Sequence, residues 1–203
     1  MVMRIAFCGI DGAGKTSLIL QLQEKLLSID KKGKIMKLQL NSQKILKRMA
    51  IDITGMEKNY LSIFPIQWGR IALGFEFYDY YRDIDKIQHI DYVLCDRFDI
   101  CYKVYSKVYG VNDMYEIEKI FDLVPKPDLY VYLKVDVATA LNRIEKRGEE
   151  KTFDEQECFL TPAVRYYDDY FSKIDSKVLI LDATKNTDFL CDEIIDYIKG
   201  MER

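Results

Sequence analysis

The chain has 203 residues, 49% hydrophobic and 31% charged, and no Pro/Gly/Ser-rich linker divides it, so one domain over residues 1–203 with a substantial core is expected. Thirty basic residues against 33 acidic ones leave a net charge of −3, which offers no electrostatic footprint for nucleic acid or an acidic membrane. No apolar run approaches ~20 residues, so no membrane-spanning helix is expected. Arg4 and a glycine-rich loop stand too close to Met1 for a secretory signal, and the expected location is cytoplasmic.

The first element is a strand over Met3–Cys8, an apolar run suited to a buried parallel sheet. Directly after it, Gly9-Ile10-Asp11-Gly12-Ala13-Gly14-Lys15-Thr16 satisfies G-x-x-x-x-G-K-[ST]. Glycines let the backbone wrap an anion, successive N–H groups aim at phosphate oxygens, and a helix N-terminus adds positive potential. That helix follows from Ser17, with Leu18, Leu22 and Leu26 at helical spacing. The pattern assigns Gly9, Asp11, Gly12, Ala13, Gly14, Lys15, Thr16 and Ser17 to a triphosphate such as ATP. Lys15 then reaches the β/γ-phosphates and the Thr16 hydroxyl ligates Mg²⁺.

A second strand is expected over Lys34–Leu40, followed by a long helical region over Ser42–His89. That region interleaves Trp68, Phe75, Phe77, Tyr78, Tyr80 and Tyr81 with Arg70, Glu76, Asp79 and Arg82. It reads either as an amphipathic helix packed on a sheet or as a pocket wall that stacks on a planar ligand. His89, the single histidine, falls in this polar, aromatic stretch and suits a helix end or surface better than catalysis. The third strand, Tyr92–Asp96, delivers Asp96 and Arg97 to its carboxyl end, where open α/β sheets bind ligands. Asp96 there can hold Mg²⁺ through water, and Arg97 can bridge donor and acceptor phosphates. Strands over Asp128–Val135 and Lys177–Asp182 complete a βαβα pattern, hence a parallel sheet with helices on both faces.

Helices are expected over Val137–Lys146, Asp154–Ser172 and Asn186–Met201, with Pro162 either kinking the second or opening its later half. Arg143 and Arg147 lie four apart and lead to a polar loop beginning at Gly148, which suits a lid over about residues 143–156 that neutralises a transferring phosphoryl group. Cys8 and Cys95, in expected buried strands, read as small apolar groups. The five cysteines form no C-x-x-C pair, so neither a disulfide nor a zinc site is expected.

The loop Gly9–Thr16, the run Cys95-Asp96-Arg97-Phe98 with Tyr105 downstream, Pro127–Leu133, Ala140–Glu149 and Leu181-Asp182-Ala183 together resemble thymidylate kinases. The resemblance implies a three-layer P-loop kinase fold with a five-stranded parallel sheet and a short arginine-bearing lid. It implies transfer from Mg-ATP to a deoxynucleoside 5′-monophosphate, with dTMP giving dTDP as the family reaction. In that reading Asp11 contacts the acceptor's sugar hydroxyl, Asp96 and Arg97 bracket magnesium and the acceptor phosphate, and Tyr105 lines the acceptor pocket. Arg143 and Arg147 become the catalytic lid arginines, since Gly12 stands where other members carry an arginine inside the loop. Arg70 and Phe75 stand nearest to the family's base- and phosphate-reading helix. Nucleotides are then the partners, and the resemblance allows a homodimer.

The sequence departs from the family pattern at three points. Cys8 stands where many members carry an acidic residue, Leu38-Gln39-Leu40-Asn41-Ser42-Gln43 replaces an Arg-Glu-Pro-Gly segment after the second strand, and Phe75-Glu76-Phe77-Tyr78-Asp79 only loosely echoes the family's Phe…Arg base-reading helix. Two alternatives remain at this stage: a deoxynucleoside kinase acting on a free nucleoside hydroxyl, and a non-catalytic ATP-binding module. A GTPase reading rests only on Asp52-Ile53-Thr54-Gly55, without a preceding strand.

Overall fold

The computed structural model describes residues 2–55, 63–111 and 113–201. All five described strands are parallel, in the order β2-β3-β1-β4-β5: β1 Met3–Cys8, β2 Gly33–Met36, β3 Tyr92–Asp96, β4 Leu129–Lys134 and β5 Val178–Asp182. The central strand β1 pairs Phe7 with Asp96 of β3 and with Val131 of β4. The chain runs from β1 outward to β2 on one side and later to β4 and β5 on the other. The carboxyl end of β1 is therefore the switch point where such sheets bind ligands. All five residues of β3 are buried, and because successive side chains point to opposite faces, both faces of the sheet are covered.

The chain forms two compact units. The first comprises Met1–Lys37, Gln88–Tyr109 and Pro127–Arg203 and holds the whole sheet. Its helices are α1 Lys15–Ser28, α4 Asp99–Val108, α6 Val137–Glu145, α7 Glu157–Lys173 and α8 Thr187–Met201. Leu18, Ile19, Leu22 and Leu26 bury one face of α1, which packs with α8, while α4 packs with α7. Helix α6 starts where the Asp136 carboxylate accepts from the Thr139 backbone N–H at 2.8 Å, a side-chain N-cap.

The second unit comprises Leu38–Ile87 and Gly110–Lys126, with α2 Asn41–Thr54, α3 Ile66–Tyr81 and α5 Tyr115–Asp122. Phe77 is fully buried and meets Tyr81 and Phe121, with ring centroids 4.9 and 4.5 Å apart. Gly74 lets α5 approach α3: a Cβ there would lie 2.9 Å from Ile120 Cδ1. Glu76 of α3 accepts from the Ser42 backbone N–H at 2.8 Å and from its hydroxyl at 2.7 Å, tying α3 to the start of α2.

Four expectations change. Strand β2 ends at Met36 rather than Leu40, because it pairs only with β3, whose last partner for it is Cys95. The long middle helix is two helices: Gly55, at φ 67°, ends α2 in the left-handed region, and Pro65 precedes α3. Residues 56–62 of that stretch lie outside the described residues. Asp52–Gly55 is thus a helix end with its glycine cap, which accounts for the D-x-x-G spelling. His89 is exposed outside any helix with φ 62°. Helix α7 begins at Glu157, after a 3-10 turn over Phe153–Glu155, and runs through Pro162. The Pro162 ring removes one intrahelical donor without ending the helix.

A buried polar contact ties α4 to the sheet. The Tyr130 hydroxyl on β4 donates at 2.9 Å to the Asp99 carboxylate, and the two residues are 2% and 3% exposed. Removing one donor from a buried carboxylate costs about 1–3 kcal/mol. Tyr130→Phe should therefore lower unfolding free energy by about that amount in urea titrations. A loss below about 0.5 kcal/mol would remove this contact from the account of stability.

Candidate functional site

The loop after β1 takes its shape from close backbone contacts. A Cβ on Gly9 would lie 2.7 Å from the Leu133 carbonyl oxygen, and one on Gly12 would lie 2.5 Å from that of Ala140. Both glycines have positive φ, 140° and 81°, so a side chain would meet a steric wall and a strained backbone together. The loop is thereby pressed between the end of β4 and the middle of α6. Gly14 precedes Lys15, and α1 begins there.

Lys15 is 6% exposed and folds back over the loop, donating to the carbonyls of Gly9 at 2.9 Å and Ile10 at 2.8 Å. Burial first, and then the Arg97 guanidinium, bring its ammonium down to about 8, against the opposing pull of Asp11. The Thr16 hydroxyl donates to Asp96 Oδ2 at 3.0 Å, so the head of α1 meets the end of β3. Thr16 and Ser17 remain exposed at that head.

Asp11 is the electrostatic hub. Its carboxylate pairs with Arg97, accepts from the Tyr105 hydroxyl at 2.9 Å, and lies 3.9 Å from Lys15 Nζ. Burial would raise its pKa, but Arg97, then Lys15, the Tyr105 hydrogen bond and Arg147, hold it at about 2. Arg97 reaches this position through an unusual backbone: its φ is 76°, and its N–H donates at 3.2 Å to the Phe7 carbonyl. Its guanidinium also lies over the Tyr105 ring, 4.8 Å from the centroid.

The two arginines expected to serve a lid, Arg143 and Arg147, have different partners. Arg143 donates at 2.7 Å to the Ala183 carbonyl just beyond β5, with its other terminal nitrogen 3.4 and 3.5 Å from the carbonyls of Gly12 and Ala13. It fastens the phosphate loop to the β5–α8 connection. Arg147 lies past the end of α6, where the Gly148 N–H bonds back to the Glu145 carbonyl, and it pairs with Glu155 at 3.1 Å. Around it, Thr152 and Glu155 form a reciprocal capping box, the Tyr109 hydroxyl bonds Asp154, and Tyr109 meets Phe153 and Phe159. The segment after α6 is thus anchored at its far end by an aromatic cluster.

The structure therefore brings together Asp11, Lys15, Thr16, Asp96, Arg97 and Tyr105, and it ties Arg143 to the loop. Arg70 and Phe75 belong to α3 of the second unit, where Phe75 is 64% exposed. Arg70 lines a cavity there with Gln67, Ile71, Glu116, Ile117 and Ile120. Sequence reasoning missed Lys37, whose ammonium sits 3.1 Å from Asp96 Oδ2, and Glu155, the partner of Arg147. Glu155 had a readable signal, the T-x-x-E spacing from Thr152. Lys37 had none, because its place depends on strand register.

A phosphate loop at the carboxyl end of a central parallel strand, faced by an Asp-Arg pair on the neighbouring strand, defines a P-loop nucleotide kinase. The family model for thymidylate kinase matches residues 78–194, and the chain belongs to the thymidylate kinase family. A probable thymidylate kinase of Sulfolobus acidocaldarius is 29% identical over 93% of this chain and 92% of its own length. One of Archaeoglobus fulgidus is 26% identical over 98% and 95%. The fold is shared with deoxyadenosine kinase from M. mycoides bound to dCMP and dCDP, at 18% identity, TM-score 0.69, and coverage of 98% of this chain and 100% of that one. The protein is an enzyme that phosphorylates nucleotides, with ATP as the family's phosphate donor. Among the described residues, no helix is long and apolar enough to cross a membrane.

The Asp11–Arg97 pair gives a pH signature. The folded carboxyl, at about 2, lies below its ordinary value of 3.8, so the pair stabilises the fold above that value and the contribution fades as pH falls towards 2. The stability difference between the wild type and Arg97→Met should be full at pH 6 and shrink markedly by pH 2.5 in denaturant titrations. An equal difference at both pH values would show that Arg97 does not act through the Asp11 charge.

Proposed function

We propose that the protein transfers the γ-phosphoryl group of Mg-ATP to a deoxynucleoside 5′-monophosphate, with dTMP as the acceptor. The single observation that carries this reading is the state of Asp11. A carboxyl held at about 2 by Arg97 is a poor proton acceptor at neutral pH. Asp96, a second carboxylate at the site, is already engaged by the Thr16 hydroxyl and Lys37. A nucleoside 5′-hydroxyl needs a base to take its proton, whereas a monophosphate oxygen is already ionised and needs alignment instead. Arg97, beside Asp11, is placed to grip such a phosphate while the Asp11 carboxylate accepts from a sugar hydroxyl. The dTMP assignment is supported by the thymidylate kinase relatives, which span nearly the whole chain.

The donor set suits magnesium. Thr16 Oγ1 and Asp96 Oδ2 are hard oxygen donors 3.0 Å apart, as Mg²⁺ prefers, and a site of few protein ligands fits a metal held mainly by phosphates and water. When bound, the metal would neutralise charge on the β- and γ-phosphates. The chain's own residues do the remaining work. Loop N–H groups and Lys15 hold the donor, Lys15 leaving the Gly9 and Ile10 carbonyls for phosphate oxygens. Arg97 aligns the acceptor, Tyr105 keeps Arg97 and Asp11 in register, and Arg143 holds the loop against the β5–α8 connection. Arg147 exchanges Glu155 for the transferring group as the segment over about 143–156 closes.

The test is ADP release with Mg-ATP against a panel of nucleosides and their 5′-monophosphates. Turnover with dTMP and none with thymidine is expected; activity confined to nucleosides would establish the nucleoside kinase alternative. Lys15→Ala should reduce kcat on the order of 10²–10³-fold or more while leaving the circular dichroism unchanged. Near-normal turnover would remove Lys15 from the chemistry.

Arg147→Ala should lower kcat at least tenfold with ATP affinity nearly unchanged, since its charge is needed chiefly in the transition state. Unaltered kcat would exclude the lid role.

A further inference from the structure

The parallel pairing of Met36 with Cys95 sets residue 37 alongside residue 96 at the carboxyl ends of β2 and β3. Lys37 Nζ lies 3.1 Å from Asp96 Oδ2, the oxygen that also accepts from the Thr16 hydroxyl at 3.0 Å. The Asp96 side chain is 4% exposed and that of Lys37 is 53% exposed. A buried carboxylate is thus met by a cation from its solvent side, on the very oxygen that faces Thr16. An ionised carboxylate in such a place is costly without a positive partner.

We infer that Lys37 is a positioning residue, an exchangeable counter-ion for Asp96 that shares Oδ2 with the divalent ion as alternative partners. This rests on the reading of Thr16 and Asp96 as the metal end of the nucleotide site. A lysine ammonium and a divalent ion against one oxygen repel each other, so each weakens the other's hold there. Lysine suits the exchange: it is a compact charge on a flexible stem, half in solvent, where an arginine would present a planar fork. Lys37 keeps Asp96 oriented towards Thr16 while the metal is away and gives way when metal-bound nucleotide arrives.

Mn²⁺ binding to the full chain, saturated with a non-hydrolysable ATP analogue, can be read from the loss of the free-ion electron paramagnetic resonance signal. Lys37→Met should bind Mn²⁺ about 3–10-fold more tightly than wild type, because the competitor is gone. Lys37→Arg, which keeps the competing charge in a planar fork, should bind Mn²⁺ no more tightly than wild type. Lys34→Met, which removes the same charge earlier on β2, should leave Mn²⁺ binding unchanged. Lys37→Gln repeats the measurement should the methionine variant fold poorly. Equal or weaker Mn²⁺ binding in Lys37→Met and Lys37→Gln would overturn the inference alone, as would equal tightening by Lys34→Met. A wild type that takes up no Mn²⁺ with the analogue bound would overturn the metal-nucleotide reading, and this inference with it.

Discussion

The parallel register of β1 with β3 is the constraint on which the site depends. Pairing Phe7 with Asp96 sets the first residues of the phosphate loop beside the Asp-Arg pair, although nearly ninety residues separate them in sequence. The Arg97 N–H then bonds to the Phe7 carbonyl, turning that residue into the left-handed region and swinging its guanidinium back to Asp11. A one-residue slip would reverse the faces of every β3 side chain and carry Asp96 away from Thr16. Buried apolar side chains along β1, β3 and β4 make such a slip costly, so core packing holds the geometry of the site.

Charge at the site follows one rule: its ionised side chains rest on protein partners. Lys15 rests on loop carbonyls, Asp96 on Thr16 and Lys37, Arg147 on Glu155, and Asp11 on Arg97. Buried unpaired charges are expensive, so a site that must bind a polyanion has to keep its cations occupied beforehand. Lys37 and Arg147 are the more exposed members of their pairs, at 53% and 44%. Arg143 differs, because its bonds to the Ala183 carbonyl and the loop serve to hold shape.

How much of this was legible in the sequence varies with the range of the interaction. The strand–loop–helix over Met3–Ser28 was readable because glycine spacing, the apolar run and the leucine period all act within a few residues. The Asp96–Arg97 strand end was readable as a ligand-binding edge from the alternation of strands with helices alone. The split between α2 and α3 was harder to see: aromatic residues dominate both the buried face, at Phe77 and Tyr81, and the exposed one, at Trp68 and Phe75. A helix apolar on most sides shows no clear period by which to orient it.

By itself the sequence determined the phosphate loop and the parallel α/β class, since each is written in contiguous residues. Only the tertiary structure decided that Asp11 is the partner of Arg97 and Tyr105, that Arg143 bonds to Ala183 and Arg147 pairs with Glu155, and that Lys37 faces Asp96. Those facts arise from sheet order and register, which bring distant residues within one hydrogen bond and leave no trace in local spacing.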